Sequence, residues 1–159
     1  MTSYDISVEV SVAAPGLDVG ALTVLAERVM AGEGIAEGTG LSILVTGDEH
    51  IRALNREFLG IDEPTDVLSF PDEPGDEPFP GADEEPYLGD IAISFPTASS
   101  QASEIGHSID AEFAHLLVHG ILHLSGYDHV NSPEEEAVMR AREEHYLGPG
   151  LHAHPHGPH

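Results

Sequence analysis

Three histidines in the carboxyl-terminal third of the chain have the type and spacing of a metal site. They are His119, His123 and His129, in the segment His-Gly-Ile-Leu-His-Leu-Ser-Gly-Tyr-Asp-His. His119 and His123 are four positions apart, so on a helix they share one face and can bind one ion together. Gly126 ends that helix, and the turn after it lets His129 return to the same ion. Because three imidazoles with an open position are typical of catalytic zinc sites, we predict one Zn²⁺ per chain; Ni²⁺ or another divalent transition metal suits the same ligands.

Two neighbouring residues are candidates for the chemistry at such a site. His115 lies four positions before His119 on the same helical stripe. It is a candidate for phosphate binding or proton transfer, and the alternative is a wall residue of the cleft without a chemical role. Asp128 adjoins His129 and is a candidate general base or a partner that orients a histidine; the alternative is a residue that stabilises the turn. A bound ion would lower the pKa of its water and so favour hydrolysis.

The same histidine offsets occur in metzincin proteases, whose pattern is His-Glu-x-x-His-x-x-Gly-x-x-His. This chain has Gly120 where the protease has its general-base glutamate. Met139, which would have to form the Met-turn of a metzincin, falls within a predicted helix instead. Without the carboxylate the usual mechanism lacks its proton carrier, so the sequence argues against peptide hydrolysis.

Hydrophobic periodicity predicts an α+β fold in the order β-α-β-α-β-β-α-α-α. About five helices are expected to pack with a sheet of about four strands, the last helix pair lying on the sheet. The helix Ala111–Leu124, capped by Asp110, and the following turn carry the metal site. The predicted strands are 5–12, 41–46, 67–70 and 87–95, and the predicted helices are 18–30, 48–59, 96–105, 111–124 and 133–146.

The chain of 159 residues is expected to form a single domain over residues 1–147, followed by a disordered His/Pro/Gly tail over 148–159. Residues 72–86 contain seven acids, four prolines and no base, which predicts a solvated loop. There is no cysteine, no apolar stretch long enough to cross a membrane and no start typical of a signal peptide. These features predict a cytoplasmic protein that does not enter a membrane.

Acidic residues far outnumber basic residues in this chain. The chain has 29 acids and only five bases, all arginine, which gives a net charge of −24. Such a field repels free polyanions and argues against DNA binding and against an independent nucleic-acid-binding module. Two of the arginines, Arg140 and Arg142, are expected to lie on the solvated surface of the last helix.

Three sequence blocks together resemble the YbeY family of bacterial metal-dependent endoribonucleases. They are His119–His129, the run from Leu54-Asn-Arg-Glu-Phe58 to Asp62–Pro71, and Leu88-Gly-Asp-Ile91. Their order and spacing fit the family from about Leu41 to Tyr146. The resemblance implies a mixed sheet with helices on it and cleavage of single-stranded RNA. It also implies maturation of the 3′ end of small-subunit rRNA, ribosome quality control, and partners such as the small ribosomal subunit, an Era-type GTPase and a small-subunit ribosomal protein.

The resemblance also implies a substrate cleft beside the metal. Candidate cleft residues are Arg56, Thr65, Asp66 and Asp90. The alternative for Thr65 and Asp66 is that they only form the turn before a strand. Asp90 is a candidate for orienting a metal-binding histidine, and the alternative is that it closes a strand end. The family pattern often has an arginine, a natural phosphate clamp, where this chain has Leu59. We therefore expect RNA to be delivered on a ribosomal particle or by a basic partner.

Two other functions compete with the endoribonuclease. One is a non-catalytic ribosome-assembly factor with a structural metal, which a protein ligand in the fourth metal position would indicate. The other is a different metallohydrolase, which a closed pocket rather than an open groove would indicate.

Overall fold

A computed structural model describes residues 4–71, 87–125 and 133–147. This part of the chain forms four strands and five helices in the predicted order, which confirms the α+β class. The elements are β1 (Asp5–Val10), α1 (Val19–Gly32), β2 (Gly40–Thr46), α2 (Asp48–Leu59), β3 (Val67–Pro71), β4 (Tyr87–Ser94), α3 (Phe95–Ile105), α4 (Ile109–Leu124) and α5 (Pro133–Leu147). The predicted acidic loop, most of the turn after α4 and the His-rich tail lie outside the described residues. No helix in the described ranges is long and apolar enough to cross a bilayer.

The four strands form one mixed sheet in the order β1-β2-β4-β3. β1, β2 and β4 run parallel, while β3 is antiparallel to β4. The register aligns Ile43 of β2 with Ile91 of β4, and Leu68 of β3 with Ala92 of β4. The mixed sheet that the family resemblance implied is therefore present, with β4 in an interior position.

Helices cover both faces of the sheet unequally. Alternate strand residues pack under α1 and α4 in the larger hydrophobic cluster, with Ile43, Ile91 and Leu117 fully or almost fully buried. The opposite face packs under α2 in a small cluster built on Ile51 and Leu68. α5 packs on α4. The buried α5 residues Met139 and Tyr146 belong to the same large cluster as the strands, although α4 contacts the sheet more extensively than α5 does.

The start of α4 differs from the prediction. Its cap is Ser108, whose hydroxyl accepts a hydrogen bond from the Ala111 amide at 3.1 Å, so the helix begins at Ile109. Asp110 lies within the first turn, and its carboxylate accepts instead from the backbone amide of Asp18, 92 residues earlier, at 3.0 Å. Ser108 has the extended backbone that a capping residue needs. Asp110 thus ties two helix starts together rather than capping its own helix.

A glycine lets α4 approach the sheet closely. A Cβ atom at Gly120 would lie 3.1 Å from Ile91 Cδ1 and 3.1 Å from Ser69 Oγ. Any side chain at position 120 therefore points into the strands. The position that carries the general base in metzincins faces the core here, which agrees with the argument against a protease.

Candidate functional site

A line of ionisable side chains runs along the buried side of α4. We call it the α4 stripe, and its members are Glu112, His115, His119 and His123, spaced by three or four positions. Glu112 and His115 are 0% exposed, His119 is 3% exposed, and His123 is half-buried. Because burying polar groups costs free energy unless they are hydrogen-bonded or bind a metal, this stripe is the candidate functional site.

The structure brings the first two predicted metal ligands together. The ring centroids of His119 and His123 lie 4.6 Å apart in an edge-to-face arrangement, as the four-residue spacing predicted. His115 follows on the other side of His119, with a centroid distance of 6.5 Å and nearly parallel rings. The third predicted ligand, His129, and the candidate base Asp128 lie outside the described residues. Within the described ranges, no three His, Cys, Asp or Glu side chains are arranged so that they could hold one ion together.

A buried carboxylate fixes the orientation of the His119 ring. Nδ1 of His119 lies 2.8 Å from Oε2 of Glu143 on α5, and Glu143 is fully buried. With its proton on Nδ1 donated to this carboxylate, neutral His119 has its lone pair on Nε2, the form that binds a divalent transition metal. The donor chemistry at His119 therefore fits the metal that the sequence predicts.

Sequence reasoning missed Glu143 and considered Asp128 as the orienting partner. The available signal was the position of Glu143 on α5. It lies four residues after Met139 and three before Tyr146, both of which are buried. A glutamate in line with the apolar stripe of a helix needs a polar partner inside the protein.

Burial defines the surroundings of His115. Its side chain is fully enclosed, so direct phosphate binding would require the structure to open. The position favours the interpretation of His115 as a wall residue beside His119 over a direct contact with substrate.

Asp66 and Thr65 lie toward the amino-terminal end of the α4 stripe. The Asp66 carboxylate accepts from the Val67 amide at 2.8 Å and from the Thr65 hydroxyl at 3.3 Å. The Gln101 side-chain amide can donate to Asp66 Oδ2 at 3.3 Å and to Glu112 Oε2 at 2.9 Å. These contacts connect the start of β3 to the first turns of α4. They support the role in the turn that was the alternative to cleft lining for both residues.

Asp90 lies on the other face of the sheet. It alternates with Ile91, which packs under α4, and its carboxylate accepts a hydrogen bond from the Tyr87 hydroxyl. A role for Asp90 beside a metal-binding histidine is therefore wrong, because the strand places the two on opposite faces.

Arg56 lies on the same side as Asp90. It is exposed on α2, with its guanidinium 3.9 Å from the Asp62 carboxylate. That carboxylate is also bonded to Arg52, and the hydrogen bond from Arg52 lowers the pKa of Asp62. Arg56 thus lies beside an exposed ion pair between α2 and the residues that follow it, and the described structure does not place it on the α4 stripe.

The α2 face carries an open groove of about 820 Å³. Strand residues such as Ser42 and Asp90 line one part of it, and Leu54, Phe58 and Leu59 of α2 line another. Leu59, the position at which the family pattern often has arginine, is 53% exposed. We call this concavity the α2 groove. It is distinct from the α4 stripe, with the sheet between them.

Comparison with protein families identifies one match that spans most of the chain. The family described as Endoribonuclease YbeY matches residues 17–149. A protein named Endoribonuclease YbeY from Chloroflexus aurantiacus is 50% identical over 123 residues, which are 77% of this chain and 80% of that protein. The protein of the same name from Pelotomaculum thermopropionicum is 48% identical over 129 residues, covering 81% of this chain and 84% of the relative.

A solved structure has a similar fold. The solution structure of TM1509 from Thermotoga maritima superposes with a TM-score of 0.58 at 26% sequence identity. The match covers 90% of this chain and 89% of the other. The similarity therefore extends over nearly the whole architecture that positions the α4 stripe.

Proposed function

The chain belongs to the YbeY family of endoribonucleases, and we propose that it cleaves single-stranded RNA during rRNA processing at a metal ion held by His119, His123 and His129. The family is metal-dependent, and the choice of zinc and of these three ligands is our proposal. One observation carries it: Glu143 accepts a hydrogen bond from Nδ1–H of His119, which leaves Nε2 as the ligand atom on a buried helix face. That is the usual arrangement around a metal-binding histidine.

The residues of the chain would divide the work at the site. α4 holds the His119 and His123 rings at a centroid distance of 4.6 Å, and Glu143 keeps one ring from turning. The low exposure of His119 restricts water around its ring and strengthens the electrostatic interactions there. When bound, a divalent ion would supply a water of lowered pKa and polarise a phosphate oxygen. Asp128 remains our candidate for the proton transfer.

The net charge of the chain bears on how RNA reaches the protein. With a net charge of −24, the chain repels a free polyanion. We therefore propose that RNA reaches it on a small ribosomal subunit or with a basic partner, in the cytoplasm. The 3′ end of small-subunit rRNA, ribosome quality control, an Era-type GTPase and a small-subunit ribosomal protein belong to this proposal as the expected substrate, role and partners.

A second function is favoured by one specific observation. Leu59, at the position where a phosphate-binding arginine is frequent in the family pattern, is an exposed apolar residue in the α2 groove. This substitution and the acidic surface favour a ribosome-assembly factor that keeps the metal without cleaving RNA. The two functions differ in whether the metal-loaded chain cleaves RNA at all.

The test measures metal content and RNA cleavage in the same preparations. His123→Ala removes a proposed ligand, and His50→Ala is the matched control because His50 is an exposed histidine of α2. In every protein compared, the histidines of the tail are also replaced by alanine so that the tail contributes no metal. These are His152, His154, His156 and His159.

We expect one ion per chain in the parent and in His50→Ala, and cleavage of single-stranded RNA in the parent. His123→Ala should lose the ion and cleave more than about 100-fold more slowly. One ion without cleavage in the parent, even when the small ribosomal subunit is the substrate, would favour the assembly factor. A parent without metal would contradict both functions.

A further inference from the structure

We propose that Glu143 is a positioning residue for the metal site. Its carboxylate holds the proton of His119 on Nδ1 and thereby directs the lone pair of Nε2 to the ion. The inference rests on the proposed metal-dependent function. It adds a residue outside the three predicted ligands, on a helix that the sequence did not connect with the site.

The burial of Glu143 is the first argument. Glu134, Glu135, Glu136 and Glu144 on the same helix are exposed, whereas Glu143 is 0% exposed. Removing a carboxylate from water costs free energy, and replacing a whole buried polar pair by apolar side chains of similar volume is often neutral or stabilising. Stability alone therefore does not explain a glutamate there, while orientation of His119 does.

The second argument is that α5 is tied to another helix on either side of Glu143 in sequence. The Arg142 Nε donates to Glu33 Oε2 at 3.0 Å, and the Tyr146 hydroxyl donates to the same oxygen at 2.5 Å. Glu33 is the C-cap residue of α1. We call Glu33, Arg142 and Tyr146 the α1–α5 clamp. The expectation that Arg142 is merely solvated is wrong, because its guanidinium takes part in this partly buried cluster.

The clamp also holds the α5 backbone. Arg28 of α1 donates to the Tyr146 carbonyl oxygen, and Arg142 Nη2 donates to the Tyr146 hydroxyl at 3.0 Å. The residue immediately before Glu143 and the residue three positions after it are therefore both attached to α1. Such supporting contacts let a carboxylate restrain a histidine ring rather than follow its motion.

The third argument concerns the neighbours of His119. Its ring has His115 on one side and His123 on the other, at centroid distances of 6.5 and 4.6 Å. A neutral imidazole can carry its proton on either nitrogen, and only the nitrogen without the proton can bind the ion. A carboxylate on Nδ1 selects the form in which Nε2 is the ligand, and loss of such a partner typically costs 10–100-fold in metal affinity.

The first experiment determines the tautomer of His119 by ¹⁵N NMR of the metal-free, full-length chain. Glu143→Met removes the acceptor at similar volume, and Glu143→Gln keeps a carbonyl that can accept the proton. Glu144→Gln is the matched control, because the neighbouring exposed carboxylate loses the same charge. We expect the Nδ1–H form in the parent and in Glu144→Gln, its loss in Glu143→Met, and partial retention in Glu143→Gln. An unchanged tautomer in Glu143→Met would overturn the proposal.

The second experiment measures Zn²⁺ affinity by competition with a chromophoric chelator, with His123→Ala as the baseline that lacks a proposed ligand. We expect Glu143→Met to bind about 10–100-fold more weakly, Glu143→Gln to be intermediate, and Glu144→Gln to stay within about twofold of the parent. Parent affinity in Glu143→Met would overturn the proposal.

Urea unfolding of the same metal-free proteins separates positioning from a structural role. The unpaired His119 donor should lower the free energy of unfolding of Glu143→Met. Weaker Zn²⁺ binding by a Glu143→Met protein that is still folded under the assay conditions, with recovery in Glu143→Gln, supports positioning. Weaker binding that only follows a loss of stability, without recovery in Glu143→Gln, would overturn it. A parent that binds Zn²⁺ no better than His123→Ala would contradict the proposed function instead, and the tautomer of metal-free His119 would still decide what Glu143 does.

Discussion

The two faces of the sheet differ in how completely they are covered. Under α1 and α4, the strands belong to the large hydrophobic cluster, and three of the four residues of the α4 stripe are buried beside it. Under α2, the small cluster leaves the α2 groove open beside it, and Phe58 and Leu59 are more than half exposed. The α4 face can hold side chains in fixed orientations, while the α2 face offers a surface that a large partner can reach.

This difference separates two requirements of an RNA-cleaving enzyme. Restraining a metal ligand needs burial and a supporting partner, which His119 has in Glu143. Meeting a polymer needs a surface open to solvent, and among the described residues the α2 groove is one such surface. In this chain the sheet stands between the two, so loss of packing should be costly on one face and mild on the other.

The largest expected effect compares matched truncations on the two faces. Leu117 is fully buried under α4, and Leu117→Ala should lower the free energy of unfolding by about 3 kcal/mol because it leaves a cavity. Phe58 is 59% exposed and packs on Phe70 at a centroid distance of 5.0 Å, so Phe58→Ala should cost about 1 kcal/mol or less. Urea unfolding measures both. Equal losses would mean that the α2 face is as tightly packed as the α4 face.

The second prediction tests how closely α4 lies on the sheet. Gly120→Leu forces a side chain against Ile91 and Ser69, and overpacking of this kind should cost about 2 kcal/mol. Gly20→Leu is the control, because Gly20 is an exposed helical glycine with only Asp18 Oδ1 near its added Cβ, at 3.5 Å. The control should be unchanged or gain up to about 0.5 kcal/mol from helix propensity. A Gly120→Leu protein as stable as the parent would contradict the close approach.

The sequence predicted the fold through its periodicity. The order of the nine elements follows from local patterns, and the structure confirms it. Asp18, a residue type that favours helix starts, caps α1 by accepting from the Ala21 amide. Local patterns could not predict which residue caps α4. Ser108 and Asp110 are both good capping residues, and the choice depends on Asp110 meeting the Asp18 amide, a contact between helices far apart in sequence.

The part of the candidate site that lies within a single helix, α4, was predictable from the sequence. The spacing of His119 and His123 placed both rings together without knowledge of the fold. Glu143 was not predictable as their neighbour, because that contact exists only once α5 docks on α4. The placement of Asp90 failed for a related reason: alternation separates it from Ile91, but only the packing of α4 decides which face belongs to the histidines.

The third prediction concerns the α1–α5 clamp, which holds the outer side of the α4 face. Burial, and next the hydrogen bond to Glu33, raise the pKa of Tyr146 from 10.0 to about 12. The neutral hydroxyl therefore stabilises the fold below pH 10, and this contribution is lost as the pH rises toward 12. Tyr146→Phe should cost about 1 kcal/mol at neutral pH and should show a shallower decline between these pH values. Unfolding of both proteins across that range provides the measurement, and parallel curves would contradict the raised pKa.

The smallest expected effect probes the α2 groove. Leu59→Arg restores a base at the position where the family pattern often has one, on the exposed end of α2. One added phosphate contact should raise the affinity for single-stranded RNA a few-fold at low salt and steepen the salt dependence by about 0.7 in log–log slope. Filter binding across a salt series gives both quantities.

The control is Ala137→Arg, which adds the same charge at an exposed position on α5, the helix that packs on α4. A larger gain at Leu59 would support RNA contact at the α2 groove, because both variants change the net charge equally. An equal gain would mean that overall charge sets RNA affinity. RNA would then show no preference for the α2 groove. The two faces would differ in how tightly they are packed, and not in their contact with RNA.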